Sequence, residues 1–330
     1  MPLIGMVLAA FMRSPLPMIY PAMMFSLIAG NRGAFNPTRV FAAPIAFGGT
    51  IWLMSGIVVL LQPIPAALVL VIGTIYFLAF YLIQKTGNPM GILIIVAGVL
   101  MSVMGLGSYP AMNFLRAELT KAALCSAVVI PILYTLLPPT TAELKVDKPE
   151  PAVGYGWGTR AAIRTGVLLC YSVFLYTFID FSNMMLAVAG MFVLAHSTRR
   201  SIWAETGQRM FSVFLGGTIG LSILTIMTVA GHLSVLMCLV FLGTYFLGHK
   251  MMTGRLPPMA YQDATSVMLS LVFSALATAE PTFAFVQRAG LTIAGTLVAA
   301  LVVSILDILF VKEPTTMSEA IADRNAVENL

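Results

Sequence analysis

Residues 38–61 read TRVFAAPIAFGGTIWLMSGIVVLL, in which Arg39 is followed by a long stretch without a charge. A helix needs about 20 consecutive apolar residues to span a bilayer, so this stretch is long enough to cross one. Its apolar residues are continuous and do not alternate with polar ones. This pattern predicts a transmembrane helix and is not typical of a strand in a membrane barrel.

The rest of the chain repeats this pattern between polar breaks, and we predict about twelve apolar segments. They lie near residues 2–12, 16–30, 38–61, 64–84, 89–107, 113–137, 159–179, 181–197, 207–229, 231–249, 259–278 and 283–311. The first segment is too short to span a membrane alone. We therefore expect the natural start to lie upstream of Met1.

Composition supports the same fold class. Hydrophobic residues make up 59% of the chain and charged residues only 9%, whereas a typical soluble domain has about 25% charged residues. The net charge of +5 comes from basic residues scattered at segment ends, with no basic cluster of the kind that binds nucleic acid. We predict an all-α, polytopic transmembrane bundle of about 10–12 helices that is surrounded by lipid.

The polar breaks predict the domains and the orientation. We expect a first transmembrane repeat over 1–137, a linker rich in Pro, Gly and charge over 138–158, a second repeat over 159–311, and a polar tail over 312–330. Of the 18 Lys and Arg residues, fourteen fall on one side of this arrangement. By the positive-inside rule that side is cytoplasmic, so both termini and the linker are predicted to be cytoplasmic, in the inner membrane of a cell.

Two sequence matches indicate an internal repeat. The pentapeptide FGGTI at 47–51 recurs as LGGTI at 215–219, which is 168 residues later. The heptapeptide RAELTKA at 116–122 recurs as RAGLTIA at 288–294, at an offset of 172. Similar matches in the same order predict two parallel six-helix repeats, related by an axis along the membrane normal.

The first match also predicts a packing motif, because small residues let helix backbones approach closely. Its members are Gly48, Gly49, Thr50, Gly216, Gly217 and Thr218. Direct contact with a ligand is the alternative for the glycines. The threonines could bond to carbonyls of their own helices or line a polar path.

Charged residues inside apolar segments are costly and are therefore functional candidates. Arg116 and Glu118 lie in the sixth segment, and Arg288 lies at the equivalent position of the twelfth. With Thr120 and Thr292 they are the candidate substrate path, since a guanidinium can bind a carboxylate through two hydrogen bonds. The alternative for both arginines is a side chain that reaches the outer membrane interface.

Asp307 and Asp263 are the candidates for proton coupling, because carboxyl groups within apolar segments can carry protons. A plain electrostatic pairing of Asp307 with Lys312 is the alternative.

The three cysteines, Cys125, Cys170 and Cys238, stand singly in apolar stretches and are expected to be buried. Neither they nor the histidines have metal-ligand spacing, and we find no nucleotide-binding loop or hydrolase motif. We predict no cofactor, no metal and no enzymatic activity.

A basic residue followed by a glycine–threonine turn recurs as Arg209…Gly216-Gly217-Thr218 and as Arg288…Gly295-Thr296. Together with the predicted repeats, this resembles a short form of the fusaric acid resistance and aromatic acid exporter superfamily. The resemblance implies a bacterial inner-membrane efflux protein for aromatic carboxylates or similar compounds. It also implies a periplasmic membrane-fusion (adaptor) protein as partner. Larger members carry a cytoplasmic domain where this chain has only the linker.

We therefore expect a secondary-active efflux subunit that exports small amphipathic organic anions, driven by the proton gradient. A homo-oligomer is compatible with helices this apolar. One alternative is a membrane scaffold that anchors the adaptor without moving a substrate. The other is the permease of an ATP-driven export system.

Overall fold

The structure is a computed structural model that describes residues 2–30, 36–136, 156–178, 190–277 and 281–311. Within these ranges all regular elements are helical and none is a strand. The eleven α-helices are α1 (Pro2–Phe11), α2 (Ile19–Gly30), α3 (Pro37–Leu61), α4 (Pro65–Thr86), α5 (Met90–Gly107), α6 (Tyr109–Leu136), α7 (Trp157–Phe178), α8 (Arg199–Val229), α9 (Leu233–Thr253), α10 (Pro258–Ala277) and α11 (Pro281–Phe310). A short 3-10 helix spans Gly190–Ala195.

Seven of these helices are long and apolar enough to cross a membrane. They are α4, α5, α6, α8 and α9 over their full lengths, α3 from Val40 and α11 from Ala289. The structure thus agrees with the predicted all-helical, multi-pass membrane protein. By contrast, α1 and α2 are apolar but have only 10 and 12 residues.

Proline and glycine set several of the helix ends. Five helices begin with a proline, whose fixed φ and missing N–H suit the first position of a helix. At the end of α4, Gly87 adopts a left-handed φ of 64°, and its N–H donates to the Ile83 carbonyl. A glycine tolerates this conformation because it has no Cβ, so the helix stops there.

The start of α8 corrects the sequence prediction. We expected this helix to begin near residue 207, but it begins at Arg199. Thr198 and Ser201 form a reciprocal cap, in which each side-chain oxygen accepts the backbone N–H of the other residue at 3.2 Å. This cap holds the first helical turn, so two arginines and Glu205 belong to the helix despite their polarity.

Two predicted regions lie mostly outside the described residues. The linker falls there except for its last three residues, 156–158, of which Trp157 and Gly158 already belong to α7. The segment near 181–197 is described only from Gly190 onward. The predicted tail over 312–330 lies wholly outside the description.

The chain forms two compact units, and four of the five boundaries between them fall inside α3, α6, α8 and α11. Unit 1 comprises Met1–Gly49, Phe114–Asp147 and Gly207–Gly290, and unit 2 comprises Thr50–Asn113, Lys148–Thr206 and Leu291–Leu330. Each unit therefore combines segments from both halves of the sequence.

Within unit 1, α8, α9 and α10 pack around a shared apolar core. Val240 and Leu247 of α9 and Met268 of α10 are fully buried in it. Glycines allow close contact here. A Cβ at Gly216 of α8 would lie 2.2 Å from the Ala264 carbonyl oxygen of α10, so these two backbones touch.

Within unit 2, α4 packs antiparallel to both α5 and α7. The Lys85 ammonium, near the end of α4, lies 5.7 Å from the ring centre of Trp157 at the start of α7. Farther along the pair, Gly73 faces the Leu169 side chain. These contacts place the start of α7 beside the end of α4, so the two helices run in opposite directions.

Helix starts recur along the chain at the offsets of the two sequence matches. The starts of α4 and α5, at residues 65 and 90, are followed by those of α9 and α10 at 233 and 258. Both offsets are 168 residues. The starts of α6 and α11, at 109 and 281, are 172 residues apart.

Candidate functional site

A buried polar cluster of unit 2 lies where the first turns of α7, residues 196–198 and the last turn of α11 meet. Its centre is Arg164, whose side chain is fully buried. The side chain of Asp307, on α11, is 2% exposed. A buried charge is costly unless it is paired and hydrogen-bonded, so the contacts of this pair determine whether the site is stable.

Arg164 meets Asp307 through two parallel hydrogen bonds. Nη1 donates to Oδ1 at 3.3 Å and Nη2 donates to Oδ2 at 3.2 Å. In this end-on arrangement both Nη atoms of the planar guanidinium bind one carboxylate. The partner of Asp307 is thus Arg164, whereas Lys312, the partner considered from the sequence, lies outside the described residues.

Backbone carbonyls accept the other hydrogen bonds of the Arg164 guanidinium. Nε and Nη2 donate to the His196 carbonyl at 3.2 and 3.0 Å, and Nη2 also donates to the Ser197 carbonyl at 3.2 Å. Nη1 donates to the Arg160 carbonyl at 3.3 Å. All three nitrogen atoms are therefore satisfied, and Arg164 ties α7 to both the 196–198 segment and α11.

Arg160, one turn earlier on α7, has a different environment. It is 3% exposed, and its Nη1 donates to the Ser197 carbonyl at 3.1 Å. Its Nε is buried and has no hydrogen-bond partner, and no carboxylate pairs with the guanidinium among the described residues. A further polar contact lies on the α8 side of the region, where His196 Nε2 is 3.5 Å from Glu205 Oε2.

An apolar groove of about 660 Å³ separates α7 from α11 next to this cluster. On α7 it is lined by residues from Ala162 to Tyr171, and on α11 by residues from Leu291 to Leu306. The lining is almost entirely apolar. Cys170 belongs to it and is exposed, as is Cys238 on α9, so our expectation of buried cysteines is wrong for these two.

Unit 1 holds a second buried carboxylate, that of Glu118 on α6, whose side chain is 3% exposed. Ser14, in the turn between α1 and α2, donates its hydroxyl to Glu118 Oε2. Lys121 donates to Oε1 at 2.8 Å from a side chain that is half exposed. The arrangement ties the α1–α2 turn to a point ten residues into α6.

Unit 1 also contains an ion pair between Arg209 of α8 and Asp263 of α10, with 3.4 Å between Nη1 and Oδ2. Asp263 is partly exposed. One turn farther along α8, Ser212 donates to the Ala260 carbonyl at 2.7 Å. Together with the Gly216 contact, these interactions join α8 to the first turns of α10.

Two of the threonine candidates donate their hydroxyl groups to backbone carbonyls of their own helices. Thr120 donates to the Arg116 carbonyl and Thr218 to the Phe214 carbonyl, both at 2.7 Å. Thr292 is buried and its carbonyl accepts the Thr296 hydroxyl at 2.9 Å. Thr50 is half-buried.

The glycine–threonine motif has unequal surroundings in its two copies. Gly216 touches α10 and Gly217 is buried. A Cβ at Gly48 or Gly49 would have no atom within 4 Å among the described residues. Arg116 is half-buried, and the side chain of Arg288 lies outside the described part of the chain.

Sequence reasoning did not select Arg160 and Arg164 as site residues. Both lie at the start of the predicted segment 159–179. The available signal was their position at the start of an apolar helix, four residues apart and so on nearly the same helix face. Among the described residues, no group of three or more His, Cys, Asp or Glu side chains could hold a metal ion.

No protein-family model, curated protein or solved structure matches this chain.

Proposed function

We propose that the protein is an inner-membrane efflux subunit that exports small amphipathic organic anions, with aromatic carboxylates as the substrate class. The observation that supports this most directly is the apolar groove between α7 and α11, which ends beside a buried cluster of two arginines. Ligand sites typically combine an apolar lining of this volume with a few polar groups at one end. Such a groove suits an aromatic body, and the cluster suits its carboxylate.

The location of the cluster adds to this proposal. Charged residues within membrane helices are rare, face the protein interior and mark substrate or ion pathways. Asp307 meets these criteria, since it is buried on α11, a helix apolar enough to cross a membrane, and it forms an ion pair with the buried Arg164 of α7. The resemblance to aromatic acid exporters, carried by the turns at Arg209 and Arg288, is the source of the proposed adaptor partner and membrane.

We further propose that the chain contains two parallel six-helix repeats with both termini in the cytoplasm. The helix starts at 65, 90 and 109 recur at 233, 258 and 281, at the offsets of the two sequence matches, which supports this proposal. An even number of helices in each repeat would insert both copies in the same direction. The proton-coupling candidates remain Asp307 and Asp263, each of which lies beside an arginine.

Efflux from cells that lack other pumps tests the proposed function. Cells co-expressing the adaptor are loaded with aromatic carboxylates, and retention is followed with and without a protonophore. The groove is blocked with Gly166→Phe, because Gly166 lines the groove and a Cβ there meets no atom within 4 Å. Gly56→Phe is the matched control, since Gly56 is exposed on α3 and does not line the groove.

We expect protonophore-sensitive export by the wild type and by Gly56→Phe, and loss of export in Gly166→Phe. Normal export by Gly166→Phe would show that substrate does not use this groove. Identical retention with and without the wild-type protein would contradict the exporter function. In that case the scaffold alternative would be favoured.

A further inference from the structure

We propose that Arg160 is the residue that binds the ligand anion at the end of the α7–α11 groove, and that the ligand is a small apolar molecule with one carboxylate. This inference rests on the proposed function and assigns a chemical role within its site. Arg164 is not assigned this role, because Asp307 and three carbonyl groups already use its nitrogen atoms.

The first argument is charge. Arg160 is 3% exposed, yet among the described residues its guanidinium has one hydrogen bond, to the Ser197 carbonyl, and no carboxylate partner. The carboxylates nearby have other neighbours, since Asp307 pairs with Arg164 and Glu205 Oε2 lies 3.5 Å from His196 Nε2. A buried guanidinium without a counter-charge is costly, and an anionic ligand removes that cost.

The second argument is hydrogen bonding. The Nε–H of Arg160 is buried without an acceptor among the described residues. Buried polar groups in proteins are nearly always hydrogen-bonded, and exceptions call for an explanation such as a ligand. A carboxylate oxygen is the acceptor that gives the strongest bond to a guanidinium N–H.

The third argument is position. Arg160 precedes Ile163, Val167 and Tyr171 of the groove lining by three, seven and eleven residues. Residues with this spacing form one stripe along a helix. Arg160 is not itself a lining residue; it lies one turn before Ile163 along this stripe of α7, just beyond the end of the groove nearest the ion pair.

The groove dimensions favour a small molecule over a membrane lipid. The α7 lining runs over ten residues, which corresponds to about 15 Å of helix. A phospholipid could place its anionic group at Arg160 only by withdrawing a headgroup from water into a buried position, which is costly. A bicyclic aromatic carboxylate fits both the length and the single buried cation.

Binding to the purified full chain in nanodiscs tests the assignment. The probes are 2-naphthoate and 2-naphthamide, which share the aromatic body and differ in charge. We expect naphthoate to bind the wild type at least tenfold more tightly than naphthamide. In Arg160→Gln this preference disappears, whereas Arg200→Gln, which removes an exposed arginine of α8, retains it.

Thermal melting separates a binding role from a structural one. Because Arg160→Gln removes an unpaired buried charge, its ligand-free melting temperature should equal or exceed that of the wild type. Naphthoate should raise the melting temperature of the wild type and not of the variant. Arg160→Lys keeps the charge but loses the Nε–H, so it should bind naphthoate with intermediate affinity.

Several outcomes would overturn the assignment. One is equal binding of naphthoate by Arg160→Gln and the wild type. The others are equal binding of naphthoate and naphthamide by the wild type, and failure of naphthoate to bind the wild type. Loss of naphthoate binding in phosphatidylglycerol nanodiscs, but not in phosphatidylcholine nanodiscs, would assign the groove to an anionic lipid instead. The wild-type measurements need no variant, so they decide the matter even if Arg160→Gln does not fold.

Export distinguishes this inference from the proposed function. If naphthoate binds through Arg160 but is not exported, the site stands and the exporter function is wrong. If export is normal in Arg160→Gln, the exporter function stands and the assignment of Arg160 is wrong.

Discussion

Both carboxylate oxygens of Asp307 accept hydrogen bonds from the two Nη atoms of Arg164, although 143 residues separate these two residues in the sequence. Both side chains are buried, and Arg164 is bound in addition to three backbone carbonyls. The pair joins α7 to α11 at one end of the groove that otherwise separates them. It therefore fixes the distance between the two groove walls at that end.

Replacement of Asp307 by Ala should destabilise the protein strongly. Removing one partner of a buried ion pair leaves an uncompensated charge, which costs about 3–5 kcal/mol. We expect a clear fall in the melting temperature of the detergent-solubilised protein. The double variant Arg164→Met/Asp307→Leu should recover much of the loss, because no buried charge remains. A double variant less stable than Asp307→Ala would contradict this explanation.

The two copies of the glycine motif should respond in opposite ways to the same change. Gly216→Ala places a Cβ 2.2 Å from the Ala264 carbonyl oxygen, so α8 and α10 must separate. Such overpacking costs about 1–3 kcal/mol. Gly48→Ala meets nothing within 4 Å among the described residues and should be neutral or stabilising, because alanine favours the helix.

Unfolding by SDS titration measures this difference between the two variants. Equal destabilisation would mean that Gly48 also lies against a neighbour.

Ser14→Ala should lower stability through the α1–α2 turn. The Ser14 hydroxyl donates to the buried Glu118 carboxylate, and a hydrogen bond to a charged group contributes about 1.5–3 kcal/mol. Lys121→Ala removes the other partner of Glu118, but that side chain is half exposed, so its loss should cost about 1 kcal/mol or less.

Melting temperatures of the two variants give the test. A larger loss for Lys121→Ala than for Ser14→Ala would show that the ammonium, and not the hydroxyl, holds this carboxylate.

Maleimide labelling should report on the groove. Cys170 is exposed and lines it, whereas Cys238 is exposed on α9 in the other compact unit. If the groove binds an aromatic carboxylate, 2-naphthoate should slow the labelling of Cys170 and leave that of Cys238 unchanged. Single-cysteine variants and mass spectrometry of the labelled protein distinguish the sites. Equal labelling of Cys170 with and without naphthoate would place the ligand elsewhere.

Much of the fold could be predicted from the sequence. The apolar runs at 64–84, 89–107 and 231–249 correspond to α4, α5 and α9 with ends that differ by a few residues. The prediction was weaker at α8, where the cap formed by Thr198 and Ser201 starts the helix eight residues before the apolar run. Apolar content locates a span, whereas side-chain hydrogen bonds to the backbone locate its end.

The sequence by itself determined the helical, membrane-spanning character of the protein, because hydropathy and proline or glycine at helix ends act locally along the chain. It also drew attention to Asp307 and Glu118 as charges within apolar segments. Only the tertiary structure decided their partners, Arg164 and Ser14, since these contacts join residues more than 100 positions apart. The same holds for Gly216 and Gly48, whose local sequences are nearly identical. Which of two equivalent glycines touches a neighbour depends on helix packing, and packing is a property of the folded chain.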